Sequence, residues 1–524
     1  MMRRTSRSSA RAQGARSRVS FARLLVVLIC TVAVGWTGTR VVSALVTRPA
    51  VPGPSVFAGY VDVTATPSYP FETPVGPAQS VVILSFVVAG PGHACTPSWG
   101  GYYTLDEASS KLELDRRISQ LRLTGGQARV SFGGQRGPDL ASACTDPQAL
   151  RAAYQSVIDR YQLTNIDLDL EGASLNDPAA AVRRAAAVKG LQDTAKASGR
   201  KLAVWLTLPV GPTGLTDAGR SVVAGMLSAG VDIAGVNGMT MDFGVVTSEA
   251  APLSAVVVRA ATALHGQVSQ AYADAGQPIS DARAWTKVGV TPMIGQSDVP
   301  TEVLTLADAA AVNQFGRQHG IGLVAMWSLN RDATCGRPLP SILTVVQTMC
   351  SGVNQAGQSF ANVLAADLGP VLDTPTSTTP SPSASRTQEP TGAPTDVVDD
   401  PATSPFPIWD PLGTYPSGTR IVWHHQVYQA RFWTSGFAPD TPVTNATDSP
   451  WTLIGPVMPG DTPAALPKLP AGSYPQWNAA EAYVAGSRVQ LGLVPYQSKW
   501  WTQGSKPGES VAGGSPWVLV IPGS

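Results

Sequence analysis

The chain has 524 residues and a formal net charge of +1, with 44% hydrophobic and 14% charged residues. That length exceeds one ordinary domain and allows a large core with appendages, and the near-neutral balance gives no electrostatic footprint for a nucleic-acid partner. Composition alone excludes neither an enzyme nor a binding protein.

In chain order, Arg3, Arg4, Arg7, Arg11, Arg16, Arg18 and Arg23 precede an apolar run over 24–36, which resumes over 41–46 after Thr37-Gly38-Thr39-Arg40. A basic stretch followed by an apolar one is the pattern of an export signal or an uncleaved anchor with its N-terminus inside. The first run is short of the ~20 residues of a full span. Residues 1–50 are therefore read as a basic cytoplasmic segment plus signal peptide or membrane anchor, placing the rest outside the cell, secreted or anchored. Cysteine usage agrees. Cys30 lies in the apolar run, and Cys95, Cys144, Cys335 and Cys350 allow three pairings, of which Cys95–Cys144 and Cys335–Cys350 are expected. No C-x-x-C spacing supports a metal, and the adjacent His424 and His425 would point to opposite faces of a strand.

From 51 to 355 short β-branched runs alternate with helical patterns. Strands are expected over 56–63, 80–87, 128–132, 165–171, 202–208, 233–241, 288–293 and 322–329, with helices over 105–123, 147–161, 179–198 and 301–319. Strands alternating with helices at this spacing predict an α/β fold, a closed (β/α)8 TIM barrel with its chemistry at the strands' C-terminal ends. The fourth strand reads Asn165-Ile166-Asp167-Leu168-Asp169-Leu170-Glu171-Gly172. Period-two alternation puts Asp167, Asp169 and Glu171 on one face and Ile166, Leu168 and Leu170 on the other. Like-charged carboxylates buried together push their pKa values apart, which suits chemistry needing one protonated and one ionised carboxyl. Other strand ends supply Tyr60; Gly133 and Gly134, which leave room for a bulky ligand; Met239, Met241 and Asp242; Gln296; and Trp327, whose face could carry a sugar ring.

Ser131-x-Gly133-Gly134 on the third strand, Asp167-x-Asp169-x-Glu171 on the fourth, Met239-Thr240-Met241-Asp242 on the sixth and the terminal Trp327 together resemble glycoside hydrolase family 18, the chitinases of actinobacterial type and their relatives. The resemblance covers roughly 55–352. It implies Glu171 as general acid, Asp169 orienting the substrate acetamido group, and Asp167 supporting both. The nucleophile would be the sugar's own acetamido oxygen, with retention of configuration, an exception to the two-carboxylate scheme. No cofactor or metal is implied. Two departures stand out: Thr164 and Asn165 replace Asp and Gly at the head of the motif, and Met241 replaces the Tyr whose hydroxyl bonds the acetamido oxygen. Tyr60, Tyr102 or Gln296 could supply that donor.

Beyond the barrel, 356–405 reads as a linker, rich in Pro, Ser and Thr over 373–405. Then Trp409, Tyr415, Gly418, Ile421, Tyr428, Trp433, Gly436 and Pro439 recur 68 positions later as Trp477, Tyr483, Gly486, Val489, Tyr496, Trp501, Gly504 and Pro507. A constant offset identifies duplicated modules, over 406–458 and 474–524. The aromatic pairs Phe432-Trp433 and Trp500-Trp501 cannot both point inward from a strand, so one of each is expected at the surface. These segments look like carbohydrate-binding modules of families 5 and 12, which implies chitin contact through Tyr428, Trp433, Tyr496, Trp500 and Trp501. The whole reads as an endo-acting chitinase. A catalytically weak chitin-binding protein or lectin, or a hydrolase of another N-acetylglucosamine polymer, is the alternative.

Overall fold

The structure is a computed structural model that describes residues 55–245, 252–369, 399–444, 448–463, 466–508 and 515–520. The apolar N-terminal segment read as a signal or anchor lies outside them. Among the described residues no helix is long and apolar enough to cross a membrane.

Eight parallel strands close into a barrel: β1 Val56–Asp62, β2 Val81–Gly90, β3 Gln127–Gly133, β4 Asn165–Asp169, β5 Ala203–Gly211, β6 Ile233–Met239, β7 Val288–Val290 and β8 Leu323–Met326. Closure comes from β1, which pairs with β8 on one side and β2 on the other. The strands are nearly continuous apolar runs because barrel strands are covered on both faces. The surrounding helices include α1 Leu114–Leu123, α2 Pro147–Arg160, α3 Pro178–Ala197, α4 Asp217–Ser228, α5 Leu253–Asp274 and α6 Leu306–His319. Their starts are written locally. Asp146, Asp177 and Thr216 each accept a backbone N–H of the first turn, and Thr305 with Asp308 forms a capping box at α6. Their inward faces carry the apolar period: α1 buries Leu114, Ile118 and Leu121 against the sheet.

Inside the barrel, Trp205 fills the floor. Gly235 permits this, since a Cβ there would lie 2.3 Å from the indole ring. Above the floor the interior becomes polar, and that layer carries the site.

A hairpin formed by His93–Trp99 and Tyr103–Thr104 extends β2 beyond the barrel mouth. The Cys95–Cys144 disulfide ties it to the turn after β3, and Cys335–Cys350 closes the loop after β8, the pairing expected from the sequence. The barrel extends further than 355. Phe360, Ala361 and Leu364, on a short helix, are buried in its main core. Asp399, placed in the linker by composition, is instead buried and accepts the amides of His424 and His425 at 2.8 and 2.6 Å. Of the stretch 356–405, residues 370–398 lie outside the described residues.

The duplicated segments have matching folds. In module 1, Thr414–Tyr415 pairs with Thr434–Ser435, and Arg420–Trp423, Gln426–Ala430 and Trp451–Pro456 form a three-stranded sheet. In module 2 the same roles fall to Ala482–Tyr483, Thr502–Gln503, Arg488–Leu491, Val494–Ser498 and Trp517–Leu519. Each core is a Tyr–Trp pair in edge contact, Tyr415–Trp451 at 5.2 Å and Tyr483–Trp517 at 5.1 Å between centroids. Each buried indole N–H donates to a backbone carbonyl.

Candidate active site

The polar layer is built around Asp167, buried on β4. Its Oδ2 accepts from Tyr60 Oη at 2.9 Å and Ser131 Oγ at 2.7 Å, and its Oδ1 from Thr207 Oγ1 at 2.6 Å. These donors come from β1, β3 and β5, so one carboxylate ties β4 to its neighbours and to the strand across the barrel. Behind it Asn237 bonds Thr207 at 3.0 Å and Thr291 at 2.7 Å. Burial still raises the Asp167 pKa, with the three hydrogen bonds opposing the shift.

One pleat further along, Asp169 is also buried, and its Oδ1 has no hydrogen-bond partner. Burial, then the charges of Glu171 and Asp167, raise its pKa well above the carboxylate range. Glu171 lies beyond the strand. The ladder ends at Asp169, and Glu171, in extended backbone, precedes a four-residue helix over Gly172–Leu175, leaving its side chain partly exposed at the mouth. The expectation of three acids on one continuous strand is corrected to this extent. Burial and then the Asp242 charge push Glu171 up to about 7. Asp242 has a left-handed φ of 54°, and Glu302, accepting the amides of Phe243 and Val245 at 3.1 and 2.9 Å, holds that turn. Ser297 Oγ donates to Asp242.

The cleft above these carboxyls is lined by Tyr60, Phe86, Gln135, Asp169, Glu171, Thr207, Met239, Met241, Asp242, Thr291, Met293, Asp298 and Trp327. Trp327 stacks on Phe86 at 5.5 Å and meets Tyr60 at 6.0 Å, so it belongs to the cleft and to an aromatic cluster at once.

Three expected contacts are placed elsewhere. A Cβ at Gly133 would lie 2.0 Å from the Asp169 carbonyl, and one at Gly134 2.7 Å from the Phe86 ring. The two glycines thus make room for the neighbouring strand and for Phe86, not for a ligand. Gln296 is buried below the rim, its Nε2 donating to carbonyls including Ser297 at 3.2 Å and its own carbonyl accepting from Arg331. None of the three donors considered for the position left open by Met241 points freely into the cleft: Tyr60 is committed to Asp167, Gln296 to its own loop, and Tyr102 sits on the outer hairpin, 70% exposed. The sequence reading missed Phe86, Gln135, Thr207, Thr291, Met293 and Asp298. Gln135 follows the Gly-Gly pair directly and Asp298 lies two residues past Gln296, but the loop directions that aim them inward have no local signature.

The module aromatics divide differently from the expectation. Tyr428 and Tyr496 are buried in the two cores and are not surface contacts. Phe432, Trp433, Trp500 and Trp501 are all exposed, by 50, 63, 43 and 61%. Both members of each pair are exposed because they lie on the turn between two strands, where period-two alternation does not apply. Lys499 Nζ sits 4.6 Å from the Trp500 ring centroid. Trp501→Ala should therefore leave module stability within about 0.5 kcal/mol, whereas Tyr496→Ala should cost about 3 kcal/mol. Thermal unfolding of the two variants measures the difference.

Fold and site define the class: a (β/α)8 barrel with its carboxyls gathered at the C-terminal ends of the strands. Among proteins of known sequence, the chain is 34% identical over 315 residues to a probable bifunctional chitinase/lysozyme of Escherichia coli K12, and 33% identical over 323 residues to Endochitinase 11 of Metarhizium anisopliae. These alignments cover 58 and 60% of this chain but only 34 and 58% of the relatives, so the chain spans about a third of the first relative and under two thirds of the second. Among solved structures it is similar to the catalytic domain of a hyperthermophilic chitinase from Pyrococcus furiosus, at 28% identity and a TM-score of 0.51, covering 60% of this chain and 94% of that one. No protein-family model matches the chain.

Proposed function

We propose that the protein is an exported chitinase that cleaves β-1,4 bonds between N-acetylglucosamine units with the substrate's acetamido group as nucleophile. The observation that carries this reading is the pair Asp169–Glu171. A buried carboxyl without a hydrogen-bond partner stands beside a partly exposed one that burial holds at about 7. Such a pair keeps a proton available at neutral pH.

Glu171 gives its proton to the glycosidic oxygen as the bond from that oxygen to the anomeric carbon breaks. The acetamido carbonyl oxygen bonds to the anomeric carbon, and Asp169, ionised while Glu171 holds the one proton the pair shares, accepts the acetamido N–H and balances its positive charge. Glu171, now ionised, removes a proton from water as water attacks the same carbon. The acetamido group is restored, and two displacements retain the configuration. Asp167, fixed by three donors, holds β4 and its charge behind Asp169. Phe86, Trp327 and Met239 offer an apolar wall to the sugar ring. With Met241 at the family's Tyr position, the acetamido oxygen loses one preorganised donor; Gln135, a residue of the cleft lining, is our choice to replace it.

A soluble chitin oligosaccharide and its de-N-acetylated counterpart, followed in time by NMR of the product anomers, test the reading. Turnover of the acetylated sugar alone, with the β-anomer formed first, is expected. Equal turnover of both would refute substrate assistance. The exposed aromatic pairs support chitin as the polymer, since flat rings suit the apolar faces of sugars.

A further inference from the structure

The two modules have one fold, yet the barrel treats them differently. In module 1 Arg420 Nη1 donates to Glu113 Oε1 of the barrel at 2.6 Å. Its counterpart in module 2, Arg488, stays within its own module, with Nε 3.2 Å from Gln497 Oε1 and Nη1 3.2 Å from Tyr474 Oη. Arg116 completes the barrel side. Buried on the first turn of α1, it donates through Nε to Glu113 at 2.9 Å and grips the Asp461 carboxylate with two nitrogens at 3.0 and 3.2 Å. It also donates to the Pro456 carbonyl. Two cations and two anions thus neutralise one another between α1, module 1 and the segment that follows it, Glu113 and Arg116 both being buried. The backbones are as close as the charges. Gly455, at φ 144°, has the Arg116 carbonyl oxygen 2.8 Å from where its Cβ would stand.

The contact fixes where module 1 sits on the barrel: α1 follows the hairpin that extends β2 and a short helix over Leu105–Lys111, and its first-turn Asp115 pairs with Arg160, the last residue of α2.

We propose that module 1 is a fixed part of the catalytic unit, docked on the barrel through Arg116, Glu113, Arg420 and Asp461. Module 2 alone acts as a separate binder. This rests on the reading of the protein as a hydrolase of an insoluble N-acetylglucosamine polymer. A module fixed to the barrel presents the catalytic unit to a bound polymer in one orientation without ordering a linker, while a separate module only raises the local concentration. The same arginine stands in both copies, as Arg420 and Arg488, and reaches the barrel from module 1.

Two full-chain variants test it. Arg420→Glu with Asp461→Arg sets like charges against Glu113 and Arg116, and Gly455→Val inserts a side chain where no space exists. Backbone amide exchange over α1 and over Trp451–Pro456 reports docking. Turnover is measured on soluble chitin oligosaccharide and on insoluble chitin, with pull-down on the insoluble form. Faster exchange at the first turn of α1, unchanged soluble turnover and pull-down, and an insoluble turnover at least about threefold lower are expected. Insoluble turnover that survives undocking overturns the inference, as does a parent whose α1 amides exchange as fast as the variants'. A variant that also loses soluble turnover has lost its fold, and Arg420→Gln then decides by the same comparison. A parent inactive on the soluble sugar refutes the chitinase reading, and amide exchange still decides the docking.

Discussion

Glu171→Gln is expected to lower turnover of a soluble chitin oligosaccharide by about 10²- to 10⁴-fold, with binding retained. Gln matches Glu in shape and still fills the mouth beside Asp169, but it has no proton of suitable acidity to give the leaving oxygen. Calorimetric titration of the variant with the oligosaccharide, beside its turnover, separates the two effects; substantial residual hydrolysis would sink Glu171 as the acid. The parent's pH profile carries a second signature. Glu171 must be protonated in the free enzyme, and burial together with Asp242 holds it at about 7. Activity should thus fall as pH rises through about 7, where the acid loses its proton. Asp242→Asn removes a negative charge that favours the protonated form, so the alkaline limb of kcat/KM should move to lower pH. An unmoved limb would mean that Asp242 does not act on Glu171.

Asp169→Asn is expected to cost about 10²-fold or more in kcat with little change in KM. The amide can still bond the acetamido N–H in the ground state. It cannot offer negative charge to the cation that forms when the acetamido oxygen closes on the anomeric carbon, and that charge is worth most in a site without water. The deletion should therefore show in the transition state and not in binding. A rise in KM at constant kcat, measured by steady-state kinetics on the same oligosaccharide, would make Asp169 a binding residue only.

How much of this site is legible in the sequence follows from how local each feature is. The barrel strands were readable because a covered parallel strand is a short apolar run and its crossover helix repeats with a different period. Asp167 and Asp169 were readable because alternation along one strand fixes their shared face without reference to any other part of the chain. Gln296 was misplaced for the opposite reason. It follows β7 in sequence, but its side chain answers to carbonyls of the loop over 297–302, which nothing near it in sequence specifies. Gly133 and Gly134 read from the sequence as leaving room for a ligand, while what occupies that room, the Asp169 carbonyl and the Phe86 ring, comes from two other strands.

The modules repeat the lesson. Their duplication and aromatic content stand in the sequence, since an offset of 68 needs no folding to be seen. Which aromatics are core was decided by turn geometry: Tyr428 and Tyr496 lie on strands and face inward, and Phe432-Trp433 and Trp500-Trp501 lie on turns and face out.

By itself, then, the sequence determined the (β/α)8 barrel, the two acidic positions on β4 and the duplicated modules, because each depends on spacing within one element or on a repeat. Only the tertiary structure decided the protonation balance between Asp169 and Glu171, the aromatic wall of Phe86 and Trp327, and the latch from α1 to module 1. Burial, ring contact and ion pairing join residues up to 345 positions apart, as between Arg116 and Asp461, and no local pattern records who those partners are.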